Sequence, residues 1–172
     1  MKNILNTRLL FILTFICQIS FSQSEPTDAP SEPISVPAGV VSLYSDTYND
    51  INAVWNPDQS TNTTVIEDVV IANNNIKKYS NFNFSSIDLT ANTVDISSFT
   101  HFRLDFWTSS IQGASQIKVK LVDYGTDNVS DENTDIEVER TKFIMPAEQG
   151  GWNTLEIPIS NFQDNGLTTY AN

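Results

Sequence analysis

The stretch THFRLDFWTS, residues 100–109, decides the fold class of this chain. Its apolar side chains stand at every second position, at Phe102, Leu104 and Phe106. Because successive side chains of a β-strand point to opposite faces, this period of two predicts a half-buried strand. The residues predicted to face outward are His101, Arg103, Asp105 and Trp107.

The same pattern recurs on both sides of this strand. Apolar residues alternate or run together in short segments, and clusters of Asn, Asp, Ser, Thr or Gly separate the segments. We therefore predict about eight strands and no convincing helix. The other predicted strands are VVSLY (40–44), TVIEDVVI (64–71), IKKY (76–79), NFNFSSIDL (81–89), SQIKVKLVD (115–123), DIEVERTKFIM (135–145) and GWNTLEIPI (151–159).

Short strands at this spacing predict an all-β fold, a two-sheet β-sandwich or jelly roll. The alternation also predicts which side chains form the inner layer. Trp152 opens an apolar strand behind two glycines, and we interpret it as a packing residue. The predicted inner layer consists of Phe102, Leu104, Phe106, Ile117, Val119, Leu121, Leu155, Ile157 and Ile159.

The N-terminal residues have a different composition from the rest. Lys2 and Arg8 precede the apolar run LLFILTFICQISF, which is typical of a secretory signal peptide and short for an ordinary membrane-spanning helix. We predict a signal peptide over residues 1–22, with an N-terminal membrane anchor as the alternative. Residues 23–38 are rich in Pro, Ser and Glu and predict a semi-rigid linker, followed by a domain over 39–172. The expected location is secreted or at the cell surface.

Composition excludes several classes of function. The chain carries 9 Lys and Arg against 21 Asp and Glu, a formal net charge of -12, which disfavours nucleic acid as a partner. It contains one cysteine, Cys17, and one histidine, His101. Zinc fingers, iron–sulfur clusters and multi-histidine metal centres are therefore excluded. The available chemistry is that of carboxylates, hydroxyls, amides and aromatic rings.

The outward residues of the 100–109 strand suit a glycan. An exposed indole offers a flat apolar surface for the C–H face of a pyranose ring, and Arg103 and Asp105 can bind sugar hydroxyls. The alternative is that Trp107 closes the end of the core while Arg103 and Asp105 pair on a solvated sheet. Tyr124 and Trp55, the latter in a polar loop, are further stacking candidates. Lys118 and Lys120 could extend this face or keep the sheet soluble.

Two groups of carboxylates suggest other chemistry. The segment Tyr44–Asp50 contains Asp46 and Asp50, which could hold a structural calcium ion together with backbone carbonyls. In DIEVE, the three carboxylates Asp135, Glu137 and Glu139 share one face of a predicted strand. Paired carboxylates on a sheet can hydrolyse glycosides, although a solvated strand carrying negative charge explains this pattern equally well.

Five segments in order resemble a known family: LYSDTYNDI, DVVIANNNIKKYSNFNF, FTHFRLDFWTS, IKVKLVDYG and GWNTLEIPISNF. Together they resemble the jelly-roll carbohydrate-binding modules of secreted polysaccharide-degrading proteins in marine Bacteroidetes, over residues 43–163. The resemblance implies a galactose-binding-like sandwich without catalytic residues, attached to a laminarinase-like or other glycoside hydrolase domain. Such modules usually close with a further apolar strand, so we expect the chain to lack its last strand.

The sequence therefore predicts a polysaccharide-binding module with no catalytic residues of its own. The strong acidity favours a neutral glucan over a sulfated polymer, unless Arg103, Lys118 and Lys120 form a positive strip. The alternatives are a structural or adhesive spacer of a surface protein and a fragment of a glycoside hydrolase.

Overall fold

A computed structural model describes residues 25–31, 39–57, 60–109, 115–125, 135–163 and 167. The predicted signal peptide, residues 1–22, lies outside the described residues, as do residues 23–24 and 32–38 of the predicted linker. The described elements, in chain order, are β1 (Val54–Trp55), β2 (Val65–Ile71), β3 (Asn74–Ser80), β4 (Ile87–Asp88), β5 (His101–Trp107), β6 (Ser115–Asp123), β7 (Ile136–Ile144), a 3-10 turn (Pro146–Glu148), β8 (Trp152–Pro158) and α1 (Ser160–Gln163).

The described strands pair two by two, always antiparallel: β1 with β4, β2 with β3, β5 with β8, and β6 with β7. The all-β prediction is therefore confirmed. The sandwich or jelly-roll topology stays a prediction, because the described pairing does not extend to larger sheets. Within the described residues, both helices are too short to cross a membrane.

The hydrophobic core lies between the β5–β8 and β6–β7 pairs. Every residue of the predicted inner layer belongs to this cluster or packs against it, which confirms the period-two assignment of faces. The core is completed by side chains that the alternation did not include, among them Val138, Ile144, Phe162 and Leu167. Phe162 on α1 is fully buried, so this single helical turn seals one part of the core.

The N-terminal strands differ from the prediction in three places. Of the predicted strand NFNFSSIDL (81–89), only Ile87–Asp88 forms a strand, β4. No strand forms at VVSLY; Ser42 instead makes an isolated parallel bridge to Asp50. Trp55, expected in a loop, lies on β1 opposite Ile87. The β2–β3 hairpin closes through Ala72 and Asn73, both at positive φ, which matches the twist of antiparallel strands.

Candidate functional site

The β5–β8 pair presents one outer face, named here the β5–β8 outer face. It consists of alternate residues of both strands: His101, Arg103, Asp105 and Trp107 from β5, and Trp152, Thr154, Glu156 and Pro158 from β8. The register places these residues directly opposite one another, so the two strands form four cross-strand pairs. The inner faces of the same strands hold the apolar side chains of the core.

Arg103 is the centre of a polar network on this face. Its guanidinium donates to both carboxylate oxygens of Asp105, at 3.1 and 3.2 Å, and to Oε1 of Glu156 at 3.1 Å. The hydroxyl of Thr154 donates to Asp105 at 2.5 Å. These bonds link side chains of the two strands into one row across the face. Arg103 and Asp105 therefore form an ion pair, which is one part of the alternative interpretation. The other part, that Trp107 closes the end of the core, stays a prediction.

Two tryptophans lie side by side at one end of this row. Trp107 and Trp152 are partners in the register, and both are half-buried. Leu155 and Ile157 point inward, so Trp152, three residues before Leu155, lies on the opposite face of β8. The end of the β5–β8 outer face therefore carries two adjacent indoles. The interpretation of Trp152 as a packing residue stays a prediction.

His101 marks the other end of the face. It is exposed and lies opposite Pro158. The four β5 residues predicted from the 100–109 pattern therefore do share one face, with His101 and Trp107 at its two ends.

The other predicted stacking residues lie elsewhere. Tyr124 is half-buried and directly follows the end of β6, so it lies beside the β6–β7 pair and outside both β5 and β8. Trp55 lies on β1, where its ring meets the Tyr44 ring edge-on at a centroid distance of 5.9 Å. The structure therefore does not place Trp55 or Tyr124 on the β5–β8 outer face.

Trp55 belongs to a separate cluster around Lys77. The Lys77 ammonium lies 4.6 Å from the Tyr44 ring centroid and 5.1 Å from that of Trp55, and it pairs with Asp68 at 2.7 Å. Tyr44 donates its hydroxyl to the same carboxylate at 2.9 Å. Burial of the phenol and its hydrogen bond to Asp68 raise the pKa of Tyr44 to about 12. Hydrogen bonds from Lys77 and Tyr44 lower the pKa of Asp68.

The predicted calcium ligands are occupied by protein donors. Asp46 accepts hydrogen bonds from the side chain and the backbone N–H of Asn75, both at 2.6 Å, and these bonds lower its pKa. Asp50 accepts from the Ser42 hydroxyl at 2.5 Å. Within the described ranges, no three His, Cys, Asp or Glu side chains are grouped so as to hold a metal ion. Calcium binding by Asp46 and Asp50 stays a prediction.

The glutamates of the DIEVE segment pair with lysines of the neighbouring strand. On the exposed face of the β6–β7 pair, Glu137 bonds Lys120 at 2.6 Å and Glu139 bonds Lys118 at 2.8 Å. Both lysines lie on the β6–β7 pair, whereas Arg103 lies on the β5–β8 pair. The three residues therefore do not form the positive strip that the sequence left open. The ion pairs favour the interpretation of this strand as a solvated surface.

Sequence reasoning missed half of the β5–β8 outer face. Trp152, Thr154 and Glu156 come from a strand about fifty residues away, as the separation of Arg103 and Glu156 shows. Their own alternation with Leu155 and Ile157 was the available signal. It places them on a polar face, but it does not say which strand lies beside them.

Comparisons with protein-family models, with curated proteins and with solved structures each found no match. The resemblance to carbohydrate-binding modules therefore stays a prediction.

Proposed function

We propose that this chain is a non-catalytic polysaccharide-binding module of a secreted or cell-surface protein. The observation that carries the proposal is the β5–β8 outer face, where Trp107 and Trp152 lie beside the hydrogen-bonded row around Arg103. Aromatic and polar groups on one face suit the repeating surface of a sugar chain.

The aromatic and the charged side chains of this face would bind different parts of a sugar. An indole can stack against the apolar C–H side of a pyranose ring, while carboxylates accept and a guanidinium donates hydrogen bonds at the ring's rim. Asp105 and Glu156 retain acceptor capacity beyond their bonds to Arg103, because each carboxylate has about four lone-pair sites. The internal network orders these groups before a ligand arrives, which lowers the entropic cost of binding.

The charge of the face favours an uncharged polymer. One guanidinium stands against two carboxylates, Asp105 and Glu156, and the whole chain has a net charge of -12. Lys118 and Lys120, which could have attracted an anionic glycan, pair with glutamates on the other sheet. A neutral glucan is therefore the preferred ligand in this proposal, and sulfated or uronic polymers are disfavoured by repulsion.

Binding by a single small face is expected to be weak. Two indoles and a polar row contact only a few sugar units. Much of the favourable binding free energy is offset by the conformational entropy that the polysaccharide loses when it is bound. Attachment to a glycoside hydrolase domain or to the cell surface would raise the effective concentration and so the retention on a polymer. We include such an attached enzyme in the proposal.

The test is retention of the folded protein in native gels that contain soluble polysaccharides, each run with calcium and with a chelator. Trp107→Ala should weaken binding of the retained glycan by about 30-fold, the effect of a typical aromatic hot spot. Arg103→Ala should weaken it less. Lys118→Ala is the matched control, because it removes a cation from the other sheet and should leave retention unchanged.

A folded protein that no polysaccharide retains would overturn the proposal and favour a structural spacer. Hydrolysis of the glycan, measured as new reducing ends, would favour the glycoside hydrolase instead.

A further inference from the structure

The segment Glu25–Ser31, predicted to be part of a semi-rigid linker, makes a hydrogen bond and an ion pair with the domain. The indole N–H of Trp152 donates to the backbone carbonyl of Asp28 at 2.7 Å. The carboxylate of Glu25 pairs with the ammonium of Lys78 on β3 at 2.6 Å. This segment therefore touches both the β5–β8 outer face and the β2–β3 hairpin.

The apolar residues of the segment are partly sheltered from solvent. Pro26, Ala29 and Pro30 are half-buried, whereas Glu25, Thr27 and Asp28 are exposed. A free linker would expose the proline rings as fully as the acidic side chains. One side of the segment is therefore packed, and its point of attachment is one of the two indoles of the proposed glycan site.

We propose that residues 25–31 form a displaceable cap on the Trp152 end of the β5–β8 outer face, in competition with the glycan. This inference rests on the proposed function of that face. A bound sugar chain that covers both indoles must meet the backbone that already accepts the Trp152 N–H. The segment and the ligand therefore cannot both occupy this end of the face.

The attachment has the properties of a reversible contact. The ion pair between Glu25 and Lys78 is exposed, with side-chain exposures of 70% and 43%, so solvent screens it. The other polar contact is the single hydrogen bond from the Trp152 indole to the Asp28 carbonyl. Prolines restrict the free segment and so reduce the entropic cost of docking, which lets such a small set of contacts hold it. Because these contacts are weak, a competing ligand can displace the segment.

The test separates docking from glycan binding. Glu25→Lys replaces the attraction to Lys78 by repulsion and changes no residue of the β5–β8 outer face. Glu137→Lys is the matched control, because it breaks an exposed ion pair with Lys120 of the same 2.6 Å length on the other sheet. Docking is followed by the NMR signal of the Trp152 indole N–H, assigned with Trp152→Phe. Binding is measured with the soluble glucans laminarin and dextran.

We expect Glu25→Lys to move the indole signal toward that of a solvated tryptophan and to strengthen glucan binding roughly three- to tenfold, because more of the protein is then competent to bind. Glu137→Lys should do neither. A glucan that binds only to Glu25→Lys would also support the cap.

Two results would overturn the inference. One is an indole signal that Glu25→Lys leaves unchanged; the other is a released segment without stronger binding of a glucan that the wild type binds. Failure of the proposed function looks different: the indole signal shifts in Glu25→Lys, yet neither protein binds any glycan. The competition would then fail with the function, while the docking itself would be established.

Discussion

The N-terminal and C-terminal halves of the described chain are each stabilised by a different kind of interaction. From residue 96 onward, apolar side chains of β5, β6, β7, β8 and α1 share one core. Between residues 39 and 95, the buried side chains are the polar Ser42, Asn56 and Thr64. All eight buried hydrophobic residues of the described chain belong to the C-terminal half, and eight of its eleven exposed large hydrophobic residues belong to the N-terminal half.

Hydrogen bonds hold the N-terminal half at two places. At one, Thr64 donates to the carbonyl of Phe84 at 2.6 Å and accepts from the Asn83 N–H at 3.1 Å, and Asn62 bonds Asn56 nearby. At the other, Lys77 and Tyr44 both donate to the carboxylate of Asp68, at 2.7 and 2.9 Å. Such bonds largely replace bonds to water, so each contributes modestly to stability.

Because only the C-terminal half has an apolar core, we expect the two halves to differ in stability. Burial of apolar area is the main favourable term in folding, and the N-terminal half has little of it. Its opening should therefore cost less free energy than global unfolding. The proposed glycan face rests on the half with the core, which gives it a rigid support.

The largest expected effect comes from the core. Phe162→Ala should lower the free energy of unfolding by about 3–5 kcal/mol, because it leaves a cavity where a ring was fully buried. Urea unfolding followed by circular dichroism measures this change. Phe143→Ala is the control, since that ring is 62% exposed and its loss should cost about 0.5 kcal/mol or less. Equal effects of the two substitutions would contradict the assignment of the core to this half.

A smaller effect is expected at the polar contact of the other half. Thr64→Val keeps the shape of a side chain that is 4% exposed but removes its hydroxyl, which leaves Phe84 and Asn83 without this partner. The expected cost is about 1–3 kcal/mol. Amide hydrogen exchange should show the loss mainly in β2 and β3.

Thr63→Val is the matched control, because its hydroxyl bond to the Asn81 carbonyl is exposed. If Thr64→Val speeds exchange in β5 and β8 as much as in β2 and β3, the halves unfold as one unit, and the comparison fails.

The smallest expected effect is a pH dependence at Tyr44. Its pKa is raised to about 12, against about 10 in an unfolded chain, so the native state holds this proton more tightly. The stability that this provides is fully present below pH 10 and is lost as the pH rises from about 10 to 12. Absorbance at 295 nm measures the ionisation of the tyrosines. The difference between the wild type and Tyr44→Phe gives the contribution of Tyr44.

Asp68→Asn tests the cause of that shift. It removes the charged acceptor of the Tyr44 hydrogen bond and leaves the burial of the ring, so the pKa of Tyr44 should fall part of the way back. An unchanged titration would mean that burial and the charges of Asp46 and Asp50 raise the pKa of Tyr44 without Asp68.

The strands of the C-terminal half were predictable because each buries one face against a core. Alternation at Phe102, Leu104 and Phe106 and again at Leu155 and Ile157 reports that burial directly. In the N-terminal half the same rule misplaced a strand at VVSLY, where Val40 and Val41 are exposed. Val40 and Val41 do not pack against a core, so their apolar character does not indicate a strand there.

The candidate site could be predicted only along one strand. His101, Arg103, Asp105 and Trp107 share a face because they alternate within β5, whatever lies beside it. Trp55 and Tyr124 were predicted as stacking residues from their aromatic side chains, and no pattern in the sequence shows where they lie relative to β5. Trp55 instead packs with Tyr44 and Lys77, a cation–aromatic cluster that no spacing in the sequence indicates.

The sequence by itself determined the all-β class, the inward side chains of the core strands and the polar face of β5, because period-two alternation is a local property of an extended backbone. Only the tertiary structure decided that β8 pairs with β5, that Trp152 lies opposite Trp107, and that the carbonyl of Asp28 meets its indole. Pairing between distant strands depends on how whole faces fit together, and this free energy is shared among many residues.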